Sequence, residues 1–288
     1  MTEKDLAEFN EKTVAKVNEM TYMSDLFMSY AFKDIEVQKH IIRTCMDDST
    51  IELISTDTQV RFNNINGKEV VFDSVSVDTK GNVYNVEVEN DKKRGGLKRN
   101  MFHVGALCTQ FVPKGLKDYQ DIPVVNGIML VRGDALGNGK QKTVFETRNT
   151  HHPDKTVKDA IFRNTIIDVL NTDEKNALSQ LNLDTQQKDY RNIQNEALAR
   201  RMKEIKEGEE FIEMCEVLES YRNEGFEEGK VAGKIDGISE GDENRSREVA
   251  LKLMNLNWSL TMISEFLERD IEEIESWAKE SGIPYHIN

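Results

Sequence analysis

The sequence predicts an α/β fold closed by an all-helical C-terminal tail, on three observations. Residues 71–77 and 82–89 alternate apolar and polar side chains with the period of a strand. Residues 124–131 form an almost unbroken apolar run, the pattern of a strand covered on both faces. From Thr172 onward the apolar residues return at helical spacing.

The elements follow in chain order. Residues 25–46 place Phe27, Tyr30, Ala31, Ile35, Ile41, Ile42 and Cys45 at helical spacing and predict one or two helices. Residues 51–62 read as a first strand and Asn63-Asn64-Ile65-Asn66-Gly67 as a turn. The alternating strands come next, then a helix over residues 97–111, the buried strand at 124–131, and further strands at 142–148 and 165–170. His151-His152 precedes Pro153 and reads as a loop, with no spacing that calls for zinc.

The two alternating strands carry the acids. Val71, Asp73, Val75 and Val77 share one face, so Asp73 interrupts an apolar row; Val83, Asn85, Glu87 and Glu89 share a face of the next strand. Whether Asp73 meets the glutamates depends on the loop, because a one-residue slip reverses a strand's faces. A three-residue loop Thr79-Lys80-Gly81 with a G1 bulge pairs residue 78 with 82, and hence 73 with 87; a two-residue loop separates them. Gly81 falls where positive φ is needed, and Asp78 opens the turn with a side chain that can accept backbone N–H groups, which favours the bulged loop. Opposed carboxylates repel when ionised. Asp73, Glu87 and Glu89 together offer hard oxygen donors suited to Mg²⁺ or Mn²⁺. An ordinary hairpin with these acids on its solvated face fits the alternation equally well.

At these residues the chain resembles the PD-(D/E)XK nuclease family transposases, the recombination-promoting nuclease (Rpn) family. That family's core runs approximately as an apolar-Asp-Val strand, an Asp-x-x-Gly turn and Tyr-Asn-Ile-Glu-Met-Gln. Here Val71-Phe72-Asp73-Ser74-Val75, Asp78-Thr79-Lys80-Gly81 and Tyr84-Asn85-Val86-Glu87-Val88-Glu89 follow in that order. Met23-Ser24-Asp25-Leu26-Phe27-Met28 is similar to the family's opening Asp-x-x-Phe helix start. The likeness runs from about Met23 to the end and is strongest between Phe72 and Arg99.

The resemblance implies a restriction-endonuclease-like core, a mixed sheet flanked by helices, and a metal-dependent DNA endonuclease that hydrolyses phosphodiester bonds. It assigns Asp73 and Glu87 as metal-binding carboxylates. Glu89 stands where most of the superfamily has Lys and this family commonly Gln; a glutamate there can act as general base or added metal ligand but brings no positive charge. An acid on the first helix, Glu36, would be within the superfamily's habit, although it reads as solvent-facing. Arg99 matches the first arginine of the family's next helix, while Met101 replaces the second and Phe102-His103 replace two tyrosines. His103 reads as a core residue or a support for the site. Lys92, Lys93, Arg94, Lys98 and Arg99 form a basic run able to hold DNA phosphate, with Lys98 or Arg99 steadying the scissile group. Read without the resemblance, the same run is a solvated loop and helix start. The alternative reading is a catalytically degenerate relative that keeps the fold to bind DNA or protein, favoured by Glu89 and Met101.

Charge and composition bound these readings. The formal net charge of −14 sits mostly in residues 201–288, which hold 11 Lys+Arg against 22 Asp+Glu, leaving −3 for residues 1–200. DNA binding through local cations is therefore expected to be weak, salt-dependent and not strongly sequence-specific. Cys45, Cys108 and Cys215 are odd in number and scattered, so neither a disulfide framework nor a zinc site is indicated. No apolar run approaches a membrane span and the N-terminus lacks a signal pattern, so a cytoplasmic protein is expected.

The tail holds one repeat. Gly225, Gly229, Gly233, Gly237 and Gly241 recur every four residues, a stripe along one side of a helix. Each costs about 1 kcal/mol relative to Ala, which points to compensation by close approach of the same stripe in a second copy, or else to a flexible acidic linker. Beyond it, residues 247–253, 259–267 and 271–279 suggest three short helices with Ser259 and Asp270 as N-caps, at helix-turn-helix spacing. Glu272, Glu273 and Glu275 would repel phosphate, so this module reads as protein-packing. The expected division is an N-terminal extension (1–22), the nuclease-like domain (23–200), the glycine segment (201–245) and the helical module (246–288).

Overall fold

The computed structural model describes residues 9–63, 69–93, 96–112, 114–156 and 160–287. The chain divides into two compact units, Met1–Leu218 and Glu219–Asn288. The first contains α1 (Glu11–Asn18), α2 (Asp25–Ala31), α3 (Ile35–Met46), β1 (Leu53–Asn63), β2 (Glu69–Asp78), β3 (Val83–Glu89), α4 (Leu97–Phe111) and β4 (Val125–Val131). It continues with β5 (Lys142–Glu146), β6 (Arg148–Asn149), β7 (His152–Thr156), β8 (Phe162–Asp168), α5 (Ala177–Thr185), α6 (Glu196–Glu207) and the start of α7 (Glu209–Asn255). The second unit takes the rest of α7 with α8 (Leu260–Leu267) and α9 (Ile271–Ser281).

Local chemistry sets the boundaries. The helical pattern of residues 25–46 breaks at Asp34, whose carboxylate accepts the N–H groups of Glu36 and Val37 and caps α3. After β2 the chain turns as the loop length predicts. Gly81 has φ +82°, its N–H donates to the Asp78 carbonyl at 3.0 Å, and Asp78 N–H donates to the Asn82 carbonyl at 3.0 Å. The Asp78 carboxylate also accepts the N–H groups of Lys80 and Asn82, so the turn is held from its own side chain. The resulting register pairs Val77 with Val83 and Ser74 with Val86.

The main sheet has the order β1-β2-β3-β4-β8-β5 and is mixed. The first three strands are antiparallel neighbours, β3, β4 and β8 run parallel, and β5 closes the edge antiparallel to β8. Both faces are covered, as the apolar run of β4 requires. Tyr84, Val86, Val88, Ile128 and Leu130 share one core with α1, α2, α3, α5, α6 and Phe211, Met214 and Cys215 of α7. On the other face Val75, Val83 and Val125 pack on Val104, Leu107 and Cys108 of α4. Gly127 lets α4 settle there. A Cβ added to it would lie 2.3 Å from Val104 Cγ2 and 2.4 Å from Asn100 Oδ1.

Several expectations are corrected. The described part of the expected N-terminal extension packs on the domain, with Val17, Met20 and Tyr22 buried in the main core and the Tyr22 hydroxyl donating to the Leu198 carbonyl at 2.7 Å; residues 1–8 lie outside the described residues. The first unit runs on to Leu218, beyond the expected boundary at 200, because Met202, Ile205, Phe211 and Met214 belong to its core. His152 opens a short β6–β7 ribbon rather than lying in a loop, with Asn149 paired to His152. Residues 247–253 are the end of α7, which is one continuous helix through the glycine repeat. The turn expected at residues 63–67 lies outside the described residues save for Asn63.

In the second unit Ala250, Met254, Leu260, Ile263, Ile274, Trp277 and Ala278 form a small core. Ser259 caps α8 by accepting Met262 N–H, whereas Asp270 occupies the N-cap of α9 without a side-chain bond. Among the described residues no helix is long and apolar enough to cross a membrane.

Candidate active site

The site forms where two strands change sides together. Thr56 and Thr58 of β1 hydroxyl-bond to the carbonyls of Phe32 and Ser29 on the α2 side, yet Val60 and Phe62 pack on the α4 side. In β2, Ser76 bonds Thr56, whereas Val70 and Phe72 join the α4 cluster together with Val75. Even-numbered residues thus switch faces between 58 and 60 on β1 and between 72 and 74 on β2. Gln59, in the left-handed region at φ 52°, marks the switch on β1. Asp73 is the residue at the switch on β2. It therefore belongs to neither row, which corrects the expectation that it shares a face with both Val71 and Val75.

This irregularity re-aims the acid, as strand bulges do. Asp73 Oδ2 accepts Val88 N–H at 2.9 Å, and Asp73 N–H donates to Glu87 Oε1 at 3.3 Å. Side-chain bonds here replace the β2–β3 ladder, whose regular pairs end at Ser74 and Val86. Asp73 and Glu87 are brought together as loop parity predicts.

Glu87 is 1 % exposed. Its Oε1 lies 3.3 Å from His103 Nδ1 and its Oε2 4.0 Å from Arg99 Nη2, and Oε2 is buried without a hydrogen-bond partner. His103 is held in turn by an edge contact with Phe72, ring centroids 5.4 Å apart. Glu89 has a different fate. Arg99 Nη1 donates to its Oε2, and its Oε1 accepts Asp91 N–H at 2.9 Å.

A cleft of about 390 Å³ opens beside these groups, lined by Asp25, Asp73, Val88, Glu89, Asn90, Asp91 and Arg99. Asp25 is the first residue of α2, brought there as Asn90 Nδ2 donates to the Met23 carbonyl at 2.6 Å. Burial, and then the charge of Glu87, raise the Asp73 carboxyl to about 7; Asp25 pushes the same way, while the Val88 N–H bond and Arg99 oppose them.

Of the other residues singled out in the sequence, Lys92 and Lys93 are exposed in the turn after β3 and Lys98 on the first turn of α4. Arg94 lies outside the described residues. Glu36 pairs with Lys39 at 2.7 Å in solvent and does not line the cleft; Asp25 is the acid the α2–α3 segment contributes. Its signal was an acid, Asp25, opening a helix whose next apolar residues are Leu26 and Phe27. The three-carboxylate convergence expected of Asp73, Glu87 and Glu89 is a pair plus an acid neutralised by Arg99. Among the described residues no group of three His, Cys, Asp or Glu side chains is arranged to hold a metal ion.

Two carboxylates still fit a hard cation. Mg²⁺ keeps most of its waters and is commonly held by one or two carboxylates together with substrate phosphate. The buried Oε2 of Glu87, with the Arg99 guanidinium 4.0 Å away and no hydrogen-bond partner among the described residues, is the kind of atom such an ion satisfies. Comparison with known families, with curated proteins and with solved structures returns no match to this chain.

Proposed function

We propose that this chain is a divalent-metal-dependent DNA endonuclease of the PD-(D/E)XK recombination-promoting nuclease and transposase type, working in the cytoplasm on phosphodiester bonds. The observation that carries the reading is the pair Asp73 and Glu87, held side by side where β2 leaves β3, with Glu87 Oε2 buried and without a hydrogen-bond partner among the described residues. A carboxyl raised to about 7 beside a second buried carboxylate is costly without a cation, and carboxyls shifted by burial and a neighbouring charge in a cleft cluster at functional sites.

Asp73 and Glu87 would hold Mg²⁺ or Mn²⁺, which supplies Lewis acidity and a bound water of lowered pKa. His103 and Arg99 keep Glu87 in place from α4. Glu89 is oriented by Arg99 and by Asp91 N–H, within the cleft, where it can take a proton from water. Arg99 brings the positive charge that Glu89 lacks in the motif's third position. Lys92, Lys93, Arg94 and Lys98 would hold flanking phosphate. Two copies would be joined through the glycine stripe of α7.

A second reading is supported by one contact. Arg99 occupies Glu89, and a cleft closed in this way suits a degenerate nuclease fold that only binds. A plasmid-nicking assay in Mg²⁺ or Mn²⁺ separates the two. The nuclease reading expects divalent-dependent nicking, reduced by at least about a hundredfold in Asp73→Ala. Nicking that survives the substitution, or none in either metal, leaves the binding reading.

A further inference from the structure

Helix α8 is apolar on both of its sides. Leu260 and Ile263 are buried in the core of the second unit. Met262 and Phe266 lie four residues apart on the other side and so share a face. They are 50 % and 62 % exposed. The Trp258 ring extends this surface, its centroid 5.9 Å from that of Phe266. A single exposed apolar side chain needs no partner, whereas two aromatic rings and a methionine set together on a surface are the composition of a contact region.

Charge narrows what can cover it. Residues 246–288 hold four Lys and Arg against eight Asp and Glu. Each of the four cations is already paired with an acid, from Arg247 with Glu280 to Lys279 with Glu275. Glu265, three residues from Met262 and next to Phe266, is exposed and has no ion pair among the described residues; the same holds for Glu268 at the end of the helix. The apolar surface is therefore bordered by unmatched negative charge. Nucleic acid and an anionic membrane surface would be repelled. A second copy docking through the same face would bring two like-charged borders into one interface. A cationic amphipathic helix meets both features, with apolar residues over the rings and Lys or Arg over the glutamates.

We infer that Trp258, Met262 and Phe266, bordered by Glu265 and Glu268, form a docking surface for a basic amphipathic helix of a partner protein. The inference is independent of the nuclease reading.

The test uses the full chain and a labelled synthetic peptide of leucine and lysine, with the leucines at helical spacing. One control peptide has the same composition in scrambled order, and another keeps the leucines but carries glutamate for lysine. Fluorescence anisotropy is read for wild type, Phe266→Ser and Glu265→Lys. The expected result is saturable one-to-one binding of the basic amphipathic peptide, weakened about tenfold in Phe266→Ser. Glu265→Lys should weaken it as well and strengthen binding of the glutamate peptide. Both positions are exposed, so thermal melts matching wild type separate lost docking from lost folding. Equal binding of the scrambled peptide, no loss in Phe266→Ser, or no binding of the basic peptide overturns the inference. A dimer in light scattering that dissociates in Phe266→Ser would overturn it too, by giving the surface to a second copy of this chain.

Discussion

Asp73 shows how one side chain ties the fold to its chemistry. Its carboxyl is raised from the usual 3.8 to about 7, so the folded chain favours the protonated form. A raised folded pKa adds stability that is full below about 3.8 and is lost as the pH rises through about 7. Without metal, the urea midpoint of wild type should therefore fall between pH 5 and pH 8, and that slope should vanish in Asp73→Asn. Asparagine can still accept Val88 N–H, and at pH 8 the variant should be more stable than wild type by about 1–3 kcal/mol; a variant less stable than wild type at pH 8 would contradict the assignment. His40 acts in the opposite sense. It is lowered by burial, with Asp184 opposing, and its Nδ1 lies 3.1 Å from Asn195 Nδ2. Its contribution is present above 6.5 and is lost as the pH falls, so His40→Gln should flatten the acid limb of the stability curve below 6.5. At this scale the pairing of Asp73 with Glu87 was legible from the position of Gly81. The change of faces at Asp73 was not, because Val70, Val71 and Phe72 are all apolar and hide which row is buried. Arg99's hold on Glu89 was equally hidden, since contacts across elements depend on where α4 docks.

Elements were legible where their period was strong. The helix at residues 97–111 and the strands around Asp73 and Glu87 carry clear apolar periodicity, and a buried strand such as β4 announces itself by its continuous run. The β6–β7 ribbon was missed because its strands are short and contain Pro153, which speaks for a loop. Helix α1 was passed over because its exposed face is charged and only Thr13 and Val17 are buried. Docking of α4 rests on Gly127. Gly127→Ala should cost about 1–3 kcal/mol, read as a lowered urea midpoint, because its Cβ would collide with Val104 and Asn100. The same substitution should weaken nicking, since α4 carries Arg99 and His103 to the acids. Unchanged stability would mean that α4 is not seated on β4 as described.

For the molecule as a whole, the first compact unit runs to Leu218. The charge shift near residue 200 marks where acid accumulates, but packing continues to Leu218 because an acidic helix can still bury one apolar stripe, here Phe211, Met214 and Cys215. Helix α7 is 47 residues long, about 70 Å at 1.5 Å per residue. With five glycines in it, the helix should need a second copy to remain whole. Light scattering should give twice the chain mass for the full protein and the monomer mass for a chain ending at Tyr221; equal oligomeric states would remove the dimer.

The central claim is that Asp73 and Glu87 hold one divalent cation between β2 and β3. A crystal soaked in Mn²⁺ tests it most directly. The account predicts an anomalous peak about 2.0–2.3 Å from carboxylate oxygens of both residues, absent in Asp73→Ala. A peak elsewhere, or none there at a soak that saturates other sites, would contradict it.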